Sequence, residues 1–270
     1  MMSKKKNEDA WNTLSQHYQG SRRISIENYH YGAYAPGENE LNIIGDVSGL
    51  DILEVGCGGG QNSIVLKKQG AKTVTGIDQS MNQLEHAKKL ANSLGVNVNF
   101  KKCDMEDLSS FSDGSFDLVV SSHAMNYAMN LDLVFRECNR LLRANGRLVT
   151  CLSHPLWIVL GEALELNDFS KLVNYFEGID DIWDWEGYEG EKIASFHSKS
   201  WRFEHIINGL IEAGFSVEKV AEPRGYSEDE LENLSLDAVP YRDIPNENKG
   251  FIHANRIIPS TLIVSAIKKG

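Results

Sequence analysis

The segment Asp51–Ser63, DILEVGCGGGQNS, is the strongest indication of the fold, because a short apolar run is followed directly by a cluster of glycines. The run DILEV predicts a buried strand that ends at Val55. Glycines at positions 56, 58, 59 and 60 allow a tight turn and the close approach of a ligand. Free N–H groups at the start of the next helix attract negative charge. The glycines alone are also compatible with a connection that binds nothing, so the neighbouring segments must decide.

Short apolar runs alternate with longer segments of helical periodicity from Asp51 to about Leu152. The predicted strands are DILEV, TVTGID, NVNFKKCD, FDLVVSS and GRLVTCLS. The predicted helices between them are SIVLKKQ, SMNQLEHAKKLANSLG and LDLVFRECNRLLRANG, the last ending at Asn145-Gly146. FEHIINGLIEAGF continues the pattern as a helix, and FSVEKVAEP and STLIVSAIKK continue it as strands. This alternation is typical of an α/β fold with helices on both faces of a mostly parallel sheet.

Two segments do not follow this pattern. Trp11–Ile44 is rich in aromatic residues and is predicted to be helical with a break at Pro36-Gly37. His154–Arg202 is predicted to be less regular and carries Trp157, Trp183, Trp185 and Trp201. We therefore divide the chain into a helical lid (1–45), a core (46–153), an insertion after the fifth strand that covers the substrate (154–202), and a segment that completes the sheet (203–270).

Composition restricts the class of function. A formal net charge of −11 disfavours DNA or RNA as a partner, since no basic surplus is present to replace their counterions. The scattered cysteines, Cys57, Cys103, Cys138 and Cys151, predict reduced thiols and no metal site. No run has the length of a signal peptide or a membrane span. We expect a cytoplasmic monomer or homodimer that acts on a small molecule away from membranes.

Asp78 closes the second predicted strand about 20 residues after the glycine turn, where a carboxylate can accept hydrogen bonds from ribose hydroxyls. This spacing indicates a ligand that contains a nucleoside. A G-x-G-x-x-G fingerprint for NAD that starts at Gly56 would require glycine at position 61, which is Gln61. The sequence therefore lacks the glycine that allows the helix to pack closely on the strand in dinucleotide-binding proteins, which speaks against that interpretation.

The ordered motifs LEVGCGGG, GIDQS, CDMEDLSSFSDGSFDLVVSS and FRECNRLLRANGRLV resemble the class I S-adenosylmethionine-dependent methyltransferases. The resemblance covers about residues 41–151 and is nearest to the small-molecule branch that includes ubiquinone-biosynthesis C-methyltransferases. It implies a doubly wound, Rossmann-like sheet of seven strands and S-adenosylmethionine as cofactor.

The resemblance also implies roles for individual residues. The first motif would meet the methionine part of the cofactor through Glu54, Gly56, Cys57, Gly58 and Gly60. Asp78 would bind ribose beside Gln79 and Ser80, Asp104 and Met105 would flank adenine, and Ser121 would lie against the cofactor. Asp104 also fits a turn or helix cap, a frequent use of aspartate.

Methyl transfer from a sulfonium requires a nucleophile held in line in a dry site, and a general base helps when the acceptor arrives protonated. The candidate bases are His123, Tyr127, His154, His30 and Tyr31. His123 and Tyr127 follow the fourth strand, where ligands collect, although many relatives carry histidine at the position of Tyr127. His123 also fits a hydrogen-bonded structural residue, and His154 also fits a cap or turn.

Aromatic residues of the amino-terminal segment are candidates for a lid, and we select Tyr18 and Tyr31 as cofactor contacts. The alternative is that they pack as ordinary core. In the insertion, Trp183 and Trp185 alternate with Asp181, Asp184 and Glu186, which would suit an apolar acceptor with a positive group. The alternative is a solvated acidic loop held by two buried indoles.

The preferred interpretation is a methyltransferase that modifies oxygen or nitrogen, less readily carbon, of a small molecule. SSHAMNY follows the fourth strand in place of the Asn/Asp-Pro-Pro-Tyr signature of many nucleic-acid amino-methyltransferases, while a peptide acceptor stays possible. The alternatives are a nucleotide-dependent oxidoreductase and a module that binds S-adenosylmethionine without turnover, since a fold does not establish catalysis.

Overall fold

The computed structural model describes residues 2–177, 179–187, 191–235, 237–243 and 247–270. A central sheet of seven strands organises them. In chain order its strands are β2 (Asp51–Val55), β3 (Thr73–Asp78), β4 (Asn99–Lys102), β5 (Phe116–Ser122), β6 (Leu142–Ser153), β9 (Phe215–Ala221) and β11 (Thr261–Lys268).

The strands lie in the order β4-β3-β2-β5-β6-β11-β9, and only β11 runs antiparallel to its neighbours β6 and β9. This arrangement confirms the predicted seven-stranded, mostly parallel sheet. The chain moves outward from β2 to one side and then returns to β5 on the other. A ligand site is expected beyond the carboxyl ends of β2 and β5, where the winding reverses.

Helices cover both faces of the sheet. They are α3 (Gln61–Lys68), α4 (Met81–Ser93), α5 (Leu131–Leu141) and α7 (Phe203–Glu212). On one face the buried cluster contains Phe135 of α5 and Leu210 of α7. On the opposite face Val65 of α3 and Tyr29 of the amino-terminal segment are buried against the strands. Burial on both faces explains why the parallel strands are almost continuously apolar in sequence.

The amino-terminal segment differs from the predicted helix of Trp11–Ile44. It consists of α1 (Met2–Ser21), β1 (Arg22–Ile24), an irregular stretch and the short α2 (Glu38–Leu41). The helix ends at Ser21 because residues 22–24 pair with β10 (Tyr241–Asp243), a strand more than 200 residues away. Only the first part of the helical prediction is therefore correct.

The segment after β6 is more regular than predicted. It contains α6 (Pro155–Leu166) and an antiparallel hairpin of β7 (Ile179–Glu186) and β8 (Lys192–Ser200), whose tip lies outside the described residues. Between β9 and β11, α8 (Glu228–Asn233), β10 and α9 (Lys249–Ile257) lie outside the central sheet, so the segment 203–270 does more than complete it. Within the described part of the chain, no helix is both long and apolar enough to cross a bilayer.

Candidate active site

The glycine turn lies directly between β2 and α3. Gly56 has φ +71° and approaches Ala124 so closely that an added Cβ would lie 2.1 Å from the Ala124 Cβ. Gly60, at the start of α3, has φ +81° and packs against Phe100. A larger side chain at either position would therefore be costly. Its added atoms would overlap a neighbour, and L-residues rarely adopt this backbone conformation. The glycines are thus required by the turn itself.

Asp78, at the end of β3, joins the turn to the neighbouring strand. Its carboxylate accepts hydrogen bonds from the backbone N–H of Gly58 at 3.0 Å and of Ser80 at 2.8 Å. Burial raises the pKa of Asp78, and the backbone donors, including Ser80 and Gly58, oppose that rise. The carboxylate is therefore fixed beside the glycine turn with acceptor capacity left for a ligand.

Glu54 is a second buried carboxyl group at this position. It is 2% exposed in β2, and its Oε2 accepts a hydrogen bond from the Ser63 hydroxyl. Burial raises its pKa to about 8, and the Ser63 hydroxyl acts in the opposite direction. A cationic ligand group placed near Glu54 would favour the ionised form.

A cavity of about 340 Å³ opens beyond the ends of β2, β3 and β5. The predicted site residues that line it are Tyr18, His30, Glu54, Gly56, Cys57, Gly58, Asp78, Gln79, Asp104, Met105, His123 and Tyr127. Side chains that follow β2, β3, β4 and β5, together with side chains of the amino-terminal segment, therefore line one cavity.

Other predicted site residues lie away from this cavity. Tyr31 is buried in the core, and its hydroxyl donates to Glu38. Ser80 caps α4 by accepting from the N–H of Gln83, and Ser121 donates to the carbonyl of Val55. Gly60 also lies outside the lining. Contact of these residues with a ligand stays a prediction, and their visible contacts are structural.

His154 is the N-cap of α6. Its Nδ1 accepts from the N–H of Leu156, and its Nε2 lies 2.8 Å from Glu222 Oε1. Both ring nitrogens are thus engaged, and the side chain does not line the cavity. The geometry corresponds to the capping alternative rather than to the catalytic one.

His123 follows β5 in a left-handed conformation with φ +53°. Its Nε2 lies 3.0 Å from the carbonyl oxygen of Tyr31 and 3.3 Å from the Thr261 hydroxyl. Burial lowers its pKa, so the neutral ring is favoured. Because a carbonyl oxygen only accepts, the proton of the neutral ring belongs on Nε2, and Nδ1 keeps its lone pair.

Aromatic residues from distant segments close the cavity. Tyr18 of α1 forms a 2.7 Å hydrogen bond with the hydroxyl of Tyr241, and Trp11 packs edge-on against Tyr127. Burial raises the pKa of Tyr127 well above its usual value, so its hydroxyl keeps its proton. In the structure, side chains of α1 and β10 together form one wall of the cavity where the sequence predicted a lid.

The tryptophans of the hairpin separate into two environments. Trp185 lines the cavity, whereas Trp183 packs on Phe196 with ring centroids 4.8 Å apart. Asp184 is exposed and pairs with Lys192 at 2.9 Å, so its charge is directed away from the cavity. The side chain of Asp181 lies outside the described residues.

Several lining residues were not selected from the sequence, namely Gln19, Trp157, Tyr241, Phe251 and Thr261. Tyr241 and Phe251 belong to the segment between β9 and β11, which the sequence pattern assigned to the sheet. The clustered aromatic residues of that segment were the only available signal.

The charge of the lining suits a cationic ligand. Glu54, Asp78, Asp104 and Glu106 contribute carboxyl groups, and among the described lining residues there is neither lysine nor arginine. A sulfonium compound with an ammonium group fits this wall, whereas the pyrophosphate of a dinucleotide would meet like charge. Gln61, which replaces the NAD-type glycine, instead donates to Gln19 Oε1 at 2.7 Å and ties α1 to the turn.

Comparison with known proteins gives a consistent assignment. A family model described as a methyltransferase domain matches residues 53–150. The uncharacterized methyltransferase YbaJ of Bacillus subtilis is 32% identical over 183 residues, which are 66% of this chain and 71% of that protein. The ubiquinone biosynthesis O-methyltransferase of Colwellia psychrerythraea is 32% identical over 46% of this chain and 49% of its own length.

A crystal structure of an S-adenosylmethionine-dependent methyltransferase from Mesorhizobium loti has the same fold. It matches with a TM-score of 0.61 and 22% identity, over 83% of this chain and 93% of that one. Together with the sequence relatives, these matches lead to one conclusion: the chain belongs to the S-adenosylmethionine-dependent methyltransferases and uses S-adenosylmethionine as its methyl donor.

Proposed function

We propose that this methyltransferase modifies an oxygen or nitrogen atom of a small molecule. The observation that carries the proposal is that the glycine turn and Asp78 line the same cavity as His123, Trp157 and Phe251, which we assign to opposite ends of it. Its volume of about 340 Å³ is within the range of small-molecule sites. The similarity to a ubiquinone biosynthesis O-methyltransferase supports oxygen over carbon.

The residues around the glycine turn would hold the methyl donor. Asp78 would accept hydrogen bonds from its ribose, and Asp104 with Met105 would flank its adenine. Glu54 would lie toward its methionine end, where a positive ammonium group offsets the buried carboxylate. When bound, S-adenosylmethionine supplies an activated methyl group on a sulfonium. The remaining catalytic task of the chain is to orient the acceptor, remove its proton and exclude water.

His123 is the proposed general base. Its Nδ1 keeps a lone pair because Nε2 is directed at the Tyr31 carbonyl. Its lowered pKa keeps the ring neutral and able to accept a proton near neutral pH. Tyr127 keeps its hydroxyl proton and would act as a hydrogen-bond donor at the rim of the site. In this proposal His154 positions α6 and takes no part in proton transfer.

We also propose that the protein works in the cytoplasm as a monomer or homodimer and does not act on nucleic acid. The supporting observations are the net charge of −11 and the free cysteines of the described chain. Both fit a protein of a reducing compartment that lacks a surface for polyanions.

A transfer assay tests this function. The protein is incubated with S-adenosylmethionine labelled in its methyl group and a panel of phenols, catechols, alcohols and amines, and mass spectrometry locates the label. We expect label on oxygen or nitrogen and loss of transfer in Asp78→Ala. Binding of S-adenosylhomocysteine without transfer to any acceptor would favour the non-catalytic module, and label on carbon alone would exclude the proposed acceptor atoms.

A further inference from the structure

His30 is a cavity residue whose ring has no hydrogen-bond partner in the described chain. Its Nδ1 is enclosed and unpaired, and its ring lines the cavity beside Tyr241, with ring centroids 5.1 Å apart. Among the described residues Nε2 is not one of the enclosed, unpaired atoms, so this nitrogen is the one that a ligand in the cavity can reach. Polar groups of a native protein are normally hydrogen-bonded, and a ligand group is a candidate partner for Nε2.

The backbone holds His30 firmly against the end of β5. The Ser122 hydroxyl donates to the carbonyl oxygen of His30 at 3.1 Å, and His123 Nε2 contacts the carbonyl of the next residue, Tyr31. Gly32 makes this approach possible, since an added Cβ would lie 3.0 Å from His123 Nε2. Two consecutive residues of the lid are thus bound to two consecutive residues of the site.

The two imidazoles have different tautomers. An enclosed acceptor without a partner is tolerated more readily than an enclosed N–H, so the proton of His30 belongs on Nε2. Burial, followed by the nearby His123, lowers the pKa of His30 to about 3. His30 therefore has an N–H available in the cavity, and His123, which lines the same cavity, has the lone pair of Nδ1. A hydroxyl group matches both, because it accepts and donates at once.

We infer that His30 binds the acceptor oxygen and that the site selects a hydroxyl compound of the phenol class that carries no negative charge. The inference rests on the proposed function and specifies its substrate. Anionic acceptors are disfavoured by the carboxyl-lined wall, which holds no basic side chain among its described residues. Trp157 and Phe251, with ring centroids 4.6 Å apart, provide an apolar surface for an aromatic body in the same cavity.

The reaction balances with these residues. The acceptor oxygen forms a bond to the methyl carbon while the sulfur–carbon bond breaks, and that electron pair stays on sulfur. The hydroxyl proton moves to His123 Nδ1 and then to water. His30 keeps its proton and donates it in a hydrogen bond to the oxygen, whose negative charge grows as the hydroxyl proton leaves.

Calorimetry on the full chain loaded with S-adenosylhomocysteine tests this inference without a known substrate. The probes are 4-ethylphenol, tyramine and 4-hydroxyphenylacetate, which share a phenol and differ in charge. We expect 4-ethylphenol to bind at least roughly tenfold more tightly than 4-hydroxyphenylacetate, and tyramine to bind at least as tightly as 4-ethylphenol. Absence of binding by all three at millimolar concentration, or preference for the anion, overturns the inference.

Variants separate a direct role of His30 from a structural one. His30→Phe keeps a ring and should weaken 4-ethylphenol binding roughly fivefold to tenfold, while His30→Gln keeps an N–H donor and should restore most of it. Affinity for S-adenosylhomocysteine should be unchanged in both. His253→Phe, on the exposed face of α9, is the matched control. Equal phenol affinity in wild type and His30→Phe refutes the assignment.

If His30→Phe fails to fold, His30→Gln and the charge preference of the wild type decide the question. Loss of phenol binding in His30→Gln, with S-adenosylhomocysteine binding intact, would refute an N–H donor role. Failure of the proposed function is recognised separately, since it is measured as absence of methyl transfer to any acceptor rather than as absence of phenol binding.

Discussion

Replacing Asp78 by alanine should weaken binding of S-adenosylhomocysteine more than any other single change at the glycine turn. The carboxylate is buried, and each oxygen accepts one backbone N–H, from Gly58 and from Ser80. Each oxygen keeps a further lone pair that can accept from a ribose hydroxyl. Hydrogen bonds to a charged group contribute about 1.5–3 kcal/mol, so the dissociation constant should rise roughly 10-fold to 150-fold.

The assay is isothermal titration of the purified variant, with unfolding by denaturant measured in parallel. Asp113→Ala is the matched control, because Asp113 is 77% exposed and pairs with Arg140 on the surface. Unchanged affinity in Asp78→Ala would refute the ribose assignment. An equal loss in both variants would mean that the effect is not specific to the site.

Further predictions concern the turn, the buried acid and the helix cap. Gly56→Ala should lower the free energy of unfolding by about 1–3 kcal/mol, because its Cβ would overlap that of Ala124. Gly58→Ala meets no atom within 4 Å and should cost only the left-handed backbone, about 1 kcal/mol; equal losses in denaturant titrations would contradict this. Glu54 has a folded-state pKa of about 8, above its ordinary 4.5, so its contribution to stability is complete below pH 4.5 and is lost as pH rises through about 8. Glu54→Gln should flatten the fall in unfolding free energy over that window, and an identical pH profile would refute the assignment. His154→Ala should lower unfolding free energy by about 1 kcal/mol through loss of the cap, with unchanged affinity for S-adenosylhomocysteine in titration calorimetry.

The central strands β2, β3 and β5 were predictable because most of their residues are buried, so that short apolar runs mark them in the sequence. β2, β3 and β5 begin and end at the predicted residues. Asp78 and Asp104 were predictable for a related reason, since the carboxyl ends of parallel strands meet at one edge of the sheet. Local sequence thus predicted both the central strands and the position of these two carboxyl groups at the cavity.

The elements that were wrongly predicted depend on pairing between distant segments. The sequence predicts a helix that ends at Asn145-Gly146, but α5 ends at Leu141 because Leu142 already pairs with Phe116. Residues 143–146 then bulge from the ladder, with Asn145 at φ +61°. The helical periodicity of the segment is real, but strand pairing outweighs it where the two signals overlap.

The residues that line the cavity also come partly from the central domain and partly from distant segments of the chain. In the proposed arrangement, the end of the cavity that holds the methyl donor is built mainly within residues 53–150, the range that matches the methyltransferase domain. The opposite end uses His30, Trp157, Tyr241 and Phe251, all outside that range, and His123 joins the two. A conserved cofactor requires a constant donor end, whereas the flanking segments can differ without disturbing the β2–α3 turn. In the proposed site, recognition of the acceptor depends on the amino-terminal segment, the insertion 154–202 and the segment between β9 and β11, so relatives that share only the domain need not share its substrate.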